Sequence, residues 1–203
     1  MVSRLGRGGA AEGTRVTQIP EPRLARFLFA DTRLAWFWVL VRVYVGYQWI
    51  SAAIDKIGSP AWTGAVAGVG LRGFALGAIG QTKGVHPQVL GWYATLLRDV
   101  VVPNAALFAY LVTIGELAAG IALIAGAFTG IAAFGGAFMN MNYMLAGAVT
   151  INPVMFVLEL FLILAWRVAG YWGVDGRLLP LLGTPWQRGR IFRKRASAVG
   201  PAA

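Results

Sequence analysis

AALFAYLVTIGELAAGIALIAGAFTGIAAFGGAFMNMNYMLAGAVTINPVMFVLELFLILAWRVAGYW occupies positions 105–172, and its reading decides the fold. It is apolar almost throughout, and its only ionisable side chains apart from tyrosines are Glu116, Glu159 and Arg167. A bilayer crossing takes about 20 residues, so the stretch divides into three spans at about 105–127, 130–150 and 153–172. The breaks, Phe128-Thr129 and Ile151-Asn152, are short enough to force an up-down hairpin series. Gly115, Ala119, Gly120 and Gly126 on the first of these spans, and Gly135, Gly136, Ala146 and Gly147 on the next, suit close backbone approach, which is how helices associate in lipid.

Working outward, a fourth apolar run at about 34–54 completes the set. Trp36 and Trp38 mark one membrane interface and Trp49 lies towards the other, while Asp55-Lys56 closes the helix in water. The expected fold is an all-α membrane protein, a four-transmembrane-helix bundle in the membrane domain 34–172. Between the first and second spans, residues 57–104 read as an outer interfacial segment: a helix at about 62–78, a Gly/His/Pro turn, and an amphipathic helix at about 88–101. Trp62, Phe74, Trp92 and Tyr93 would lie at headgroup level, with Arg72 and Arg98 facing water. Whether 61–80 lies on the interface or re-enters the bilayer is left open by sequence.

The composition agrees. Of 203 residues, 58% are hydrophobic and 13% charged, against about 25% charged for soluble domains. The net charge of +10, from 18 Lys+Arg against 8 Asp+Glu, resembles the footprint of a nucleic-acid binder until it is divided by position. Six arginines (4, 7, 15, 23, 26 and 33) lie in the arm 1–33, and Arg177, Arg188, Arg190, Arg193, Lys194 and Arg195 lie in the tail 173–203. Twelve of 18 cations thus flank the apolar block, which excludes nucleic acid and places both ends in the cytoplasm, with anionic lipid at the basic tails. The arm is expected to be mostly disordered, with 23–29 on the membrane surface, and too long for a signal peptide. No cysteine is present and His86 is the single histidine, so the chain offers no Fe–S, thiolate, bis-His haem or clustered metal ligands.

Ionisable groups inside a bilayer are costly, so each needs a reason. Counted at 1.5 Å per residue, Arg42, Glu116 and Asn140 lie roughly 15–18 Å below the outer helix ends and share a layer. Arg42–Glu116 is the expected ion pair, which would keep Glu116 ionised. Glu159, Gln48 and Asn142 form a second layer at about 9–12 Å, and Glu159, with no cation at its level, is expected to be a neutral acid or proton carrier. Glu116 and Glu159 are therefore the candidate proton-handling groups. Arg42, Gln48, Asn140, Asn142 and Tyr143 are the candidate site for a quinone head group or an anionic substrate. The competing reading is that these polar groups merely pin the helices in register.

These residues also carry a resemblance. Arg42 with Gly46, Tyr47 and Trp49, then Asp55-Lys56-Ile57 and Pro60-Ala61-Trp62, stand in order before Leu71-Arg72-Gly73-Phe74, Trp92-Tyr93 and Gly115-Glu116. Met139-Asn140-Met141-Asn142-Tyr143-Met144, Asn152-Pro153 and Gly170-Tyr171-Trp172-Gly173-Val174-Asp175 follow. Over about 36–187 the chain resembles the DoxX/DoxD family of small four-helix bacterial and archaeal membrane proteins. The resemblance implies a cell-membrane subunit tied to respiratory redox chemistry. DoxD-like members are associated with thiosulfate:quinone oxidoreductase, which oxidises thiosulfate to tetrathionate and passes electrons to quinone; other members are associated with redox and oxidative-stress complexes. Carried over by position, Arg42, Glu116, Asn140, Asn142 and Glu159 would form the functional core. The leading expectation is a quinone-linked oxidoreductase subunit with a redox partner protein. A non-catalytic membrane anchor for such a complex, and a small transporter, stand as alternatives.

Overall fold

The apolar run that starts at Ala35 meets no proline until Pro60, and it folds as one helix, α2 (Ala35–Ile57). The described residues of the computed structural model are 21–184 and 187–192; the arginines of the arm at 4, 7 and 15, its expected disorder, and the tail cations at 193–195 lie outside them. Before α2, a short helix α1 (Arg23–Ala30) follows Pro22 and stops at Asp31. The Asp31 carboxylate accepts the Arg33 N–H at 2.9 Å and nucleates a 3₁₀ turn that leads directly into α2. The Arg33 guanidinium beside it holds the Asp31 carboxyl below the usual carboxylate range. On its inner face α1 is fixed by Trp38, whose indole N–H donates to the Leu28 carbonyl at 2.8 Å.

The segment expected to be one helix at 62–78 is broken in two. Pro60 opens α3 (Pro60–Thr63), and α4 (Val69–Gly80) starts only after Gly68. Gly68 has φ +90° and lies against the backbone of Ala105 and Ala106, where a Cβ would collide, so this turn requires glycine. A short helix α5 (Gly91–Leu96) runs on into a π turn at Leu97–Val101, starting three residues later than expected. This outer segment does not merely rest on a surface. Ala75, Ala78, Val89, Tyr93, Ala94 and Leu97 form a core of their own with Ala146 at the end of the bundle. Tyr93, expected at headgroup level, is buried, whereas Trp92 beside it is exposed, as are Arg72 and Arg98.

α6 (Ala105–Ala125) and α7 (Thr129–Leu145) form a hairpin, and α8 (Asn152–Leu164) returns against α7. α7 ends five residues before the expected 150: Gly147 takes φ +84° and the Ala148 N–H closes on the Tyr143 carbonyl at 2.9 Å, a glycine-terminated helix end. α8 is interrupted at Ala165 and resumes as one turn, α9 (Trp166–Ala169). At 13 residues, α8 is about 20 Å long, short of the ~30 Å hydrocarbon core. Among the described residues, two helices are long and apolar enough to cross a membrane, Thr32–Ile57 and Ala105–Ala125; Val69–Gly80 and Asn152–Leu164 are shorter apolar helices. The described start of the tail is also structured. α10 (Asp175–Leu182) is followed by a two-residue antiparallel pair, β1 (Gly183–Thr184) with β2 (Gln187–Arg188).

A close backbone contact sets the register of α2 on α6. A Cβ on Gly46 would lie 2.9 Å from the Gly120 carbonyl oxygen, and one on Gly120 would lie 2.8 Å from that of Gly46. Backbones meet there with nothing between them. The central core of Val45, Trp49, Leu123, Ala133, Met155 and Leu162 packs around this crossing. Large apolar side chains also face outward along the helices, among them Leu40, Leu107, Ile114, Ile131, Phe134 and Leu164, each more than half exposed.

Candidate functional site

The expected Arg42–Glu116 pair does not form. Because Gly46 lies against Gly120, position 42 of the antiparallel neighbour faces the end of α6, while Glu116 is one turn beyond the crossing on the other side. Eight residues of helix, about 12 Å, separate the two levels. Counting depth from helix ends missed this, because α2 runs three residues past the expected 54 and the crossing point was not known.

Arg42 instead closes the end of α6. Its Nη1 donates to the Leu123 carbonyl at 2.6 Å and to that of Ile124, and its Nη2 donates to the Trp172 carbonyl at 3.3 Å. A cation at a helix C-terminus also meets the negative end of the helix dipole. Gly126 adopts φ +64° directly against the guanidinium, where a Cβ would come within 2.8 Å of Cζ. The anion that acts on Arg42 is Asp175. Asp175 is buried and its carboxylate accepts the N–H groups of Phe128 at 2.7 Å and Thr129 at 2.8 Å, satisfying the first donors of α7. By sequence Asp175 falls in the tail 173–203; in the fold it joins that tail to the bundle.

Glu116 has different partners. Lys56, expected in water, turns back along its four-carbon stem and places Nζ 2.9 and 2.8 Å from the two carboxylate oxygens. The Tyr143 hydroxyl donates to Oε1 at 2.5 Å. The ammonium also lies over the Trp62 ring, 5.0 Å from its centre. Glu116 is 1% exposed and Lys56 16%, so the pair is a buried charge reached from one side. That side is a cavity of about 390 Å³, lined by Gln48, Asp55, Lys56, Trp62, Glu116 and Tyr143 among others. The Gln48 amide donates to the Tyr44 hydroxyl at 3.4 Å and adds a polar group to the lining.

Glu159 and Asn140 meet in the interior, although the depth count placed them in different layers. The Asn140 amide donates to Oε2 at 2.7 Å, and the Trp49 indole N–H donates to Oε1 at 2.6 Å. Gly136 makes the space: a Cβ there would lie 2.8 Å from the Trp49 indole nitrogen and 3.0 Å from the Glu159 carboxyl carbon. Both residues are wholly buried, and among the described residues Asn140 Oδ1 has no hydrogen-bond partner. Trp49 lines the cavity beside Glu116 while its N–H serves Glu159, so it stands as the partition between the two carboxylates.

Asn142 belongs to neither group. Its amide donates to the Phe138 carbonyl, and its own carbonyl groups receive the Tyr93 hydroxyl at 3.0 and 3.1 Å, which fixes α5 to the end of α7. Burial pushes the Tyr93 phenol above its ordinary range. Of the expected site residues, Glu116, Tyr143 and Gln48 therefore share one cavity, Glu159 and Asn140 share a sealed cluster, and Arg42 and Asn142 stand apart. Lys56 and Trp49 were read from sequence as a helix end and an interface anchor. The signal that could have found Lys56 is its position one long side chain away from the only carboxylate in the neighbouring apolar helix.

Among the described residues no group of three or more His, Cys, Asp or Glu is placed to hold a metal ion. The chain matches no protein-family model, no curated protein and no solved structure.

Proposed function

We propose that the chain is an integral membrane subunit of a quinone-linked oxidoreductase, with the quinone head group taken up in the cavity at Lys56, Glu116 and Tyr143. One observation carries this reading: an ammonium and a phenol, both held by one buried carboxylate, border a cavity of suitable size in an otherwise apolar bundle. Two spanning-length helices and the outward-facing apolar side chains support a bilayer setting, with α2, α6, α7 and α8–α9 as the four crossings. The exposed Arg23, Arg26, Arg167 and Arg177, all at the α1–α10 end, support a cytoplasmic location for both termini.

The residue chemistry fits the ligand class. A quinone offers two carbonyl oxygens and no donor; Lys56 Nζ gives two of its three N–H groups to Glu116 and keeps one for a carbonyl, while the Tyr143 O–H is held by Glu116. Glu116 orients both and keeps the pair neutral, so an uncharged head group enters without meeting a net charge. A bound quinone supplies the electron acceptor, taking two electrons and two protons. The Tyr143 Oη proton lies in a 2.5 Å hydrogen bond to Glu116 Oε1, and the Lys56 ammonium is the member of the trio with an N–H left over. The electron donor implied by the DoxX/DoxD resemblance is thiosulfate, two of which join through an S–S bond to form tetrathionate and release two electrons. Glu159 is the second proton-holding candidate, behind Trp49.

The test is purification in mild detergent and identification of retained quinone, followed by thiosulfate-driven quinone reduction in proteoliposomes. Retained quinone in wild type, lost in Glu116→Gln, is the expected result. No quinone in any preparation and no reduction by wild type would remove the reading. A scaffold role has one observation in its favour, the exposed Arg23, Arg26, Arg167 and Arg177 that share the α1–α10 end. It predicts a stoichiometric soluble partner that is lost when Arg177 and Arg190 are neutralised.

A further inference from the structure

A second pocket of about 280 Å³ lies beside the first, between the α4–α5 segment and the α6–α7 hairpin. Its walls are nearly all hydrocarbon: Leu71, Ala75, Leu97, Val101, Val112 and Met139 contribute side chains from four different elements. The polar groups on its wall are already engaged, the Tyr93 hydroxyl with Asn142 and the Tyr143 hydroxyl with Glu116. Nothing in it can recognise a charged or hydrogen-bonding ligand, whereas an apolar chain leaves no polar group unpaired there.

Phe74 and Tyr143 line both pockets. Their rings are perpendicular at 6.2 Å between centres, so an edge-to-face aromatic pair stands between the polar cavity and the hydrocarbon one. The polar cavity presents its donors on one side of that pair, and the hydrocarbon pocket begins on the other. Phe74 is carried by α4, and at Gly73 and Gly77 the helix faces open space, so that face is not packed against the other described residues. The ligand that fits both volumes at once is one molecule with a carbonyl-bearing ring and a flexible hydrocarbon tail.

Resting on the head-group reading above, we propose that the pocket between α4–α5 and α6–α7 binds the first part of the ligand's hydrocarbon tail, and that Phe74 and Tyr143 form the threshold over which the tail passes. The site is then selective for tailed ligands over bare ring compounds. Affinity should rise with each prenyl unit that packs against the pocket wall and level off once the pocket is full, because further carbons meet the same lipid or detergent whether bound or free.

The experiment is a titration of the full chain in detergent with benzoquinones bearing no, one, two and four isoprene units, followed by quenching of tryptophan fluorescence; Trp49 and Trp62 line the polar cavity. Wild type should bind the two-unit quinone at least tenfold more tightly than the tailless one, with little further gain at four units. Val112→Phe and Val101→Phe, which fill the pocket, should bind the tailless quinone as wild type does and lose the chain-length gain; two variants are used so that a folding failure in one, detected by thermal unfolding, does not decide the outcome. Equal affinity for all four quinones in wild type would overturn the proposal, as would an equal weakening of tailed and tailless quinones in both folded variants. If no quinone binds, the head-group reading fails, and a fluorescent alkyl amphiphile separates the two: binding that Val112→Phe abolishes supports the tail pocket alone, and no difference from wild type overturns it as well.

Discussion

The two ends of the bundle use buried charge in opposite ways. At the α1–α10 end, Arg42 and Asp175 spend their hydrogen-bonding capacity on main-chain groups: three carbonyls for the arginine, two N–H groups for the aspartate. At the other end, Lys56, Glu116 and Tyr143 bond to one another and face a cavity. A charge tied to backbone has a structural assignment already, because those backbone groups would otherwise be unsatisfied. A charge tied only to side chains beside a void has donors available to a ligand. Buried charge alone does not identify a site; what it is bonded to does.

That contrast breaks first if Arg42 is expendable. Arg42→Ala removes a charged donor from three carbonyls, of which Leu123's keeps the Gly126 N–H, and should lower stability by about 3 kcal/mol, read by thermal or denaturant unfolding in detergent. The folded fraction should bind quinone as wild type does, and a loss of binding at unchanged stability would move Arg42 into the site. Next in size, Gly136→Ala forces a methyl against Trp49 and the Glu159 carboxyl and should cost about 2 kcal/mol by the same measurement. At the cavity end, Glu116→Gln should weaken quinone binding about tenfold, or ~1.4 kcal/mol, while the melting temperature moves little, since Lys56 can swing out to water. An unfolding penalty comparable to that of Arg42→Ala would make the cavity trio a structural clamp like the other end. The smallest effect is expected from Tyr93→Phe, which removes one hydrogen bond to Asn142 and should lower stability by about 1 kcal/mol without altering binding of a tailless quinone.

The helical character and the positions of the apolar helices were legible in sequence because length and hydropathy are local properties. The breaks were less so. α7 ends at Leu145 through the backbone conformation of Gly147, one of 27 glycines, most of which do other things. Glu116 and Tyr143, both singled out from sequence as candidates, do meet in one buried polar group: a lone carboxylate in an apolar helix needs a partner, and a Tyr supplies a donor. Their partner Lys56 was not legible, since a depth count follows Cα positions and a lysine side chain reaches past several residues. Arg42 was assigned to the wrong neighbour because register between helices is set by where backbones can touch, here Gly46 on Gly120, and no count along one helix contains that information. Asp175 was missed for a related reason: its role depends on a turn, Phe128-Thr129, that lies 46 residues away in sequence.

The Gly46–Gly120 contact has a mechanical consequence. Two rods touching backbone to backbone at one point, and tied again one turn away through Arg42, behave as a single stiff frame rather than as a pair of levers. Glu116 and Lys56 ride on that frame, one on each rod. Whatever moves beside the cavity is then what hangs on the frame, such as α4 with Phe74. A bulkier residue at 46 or 120 would do more than loosen the packing: it would turn the frame into a hinge and let the ion pair drift apart.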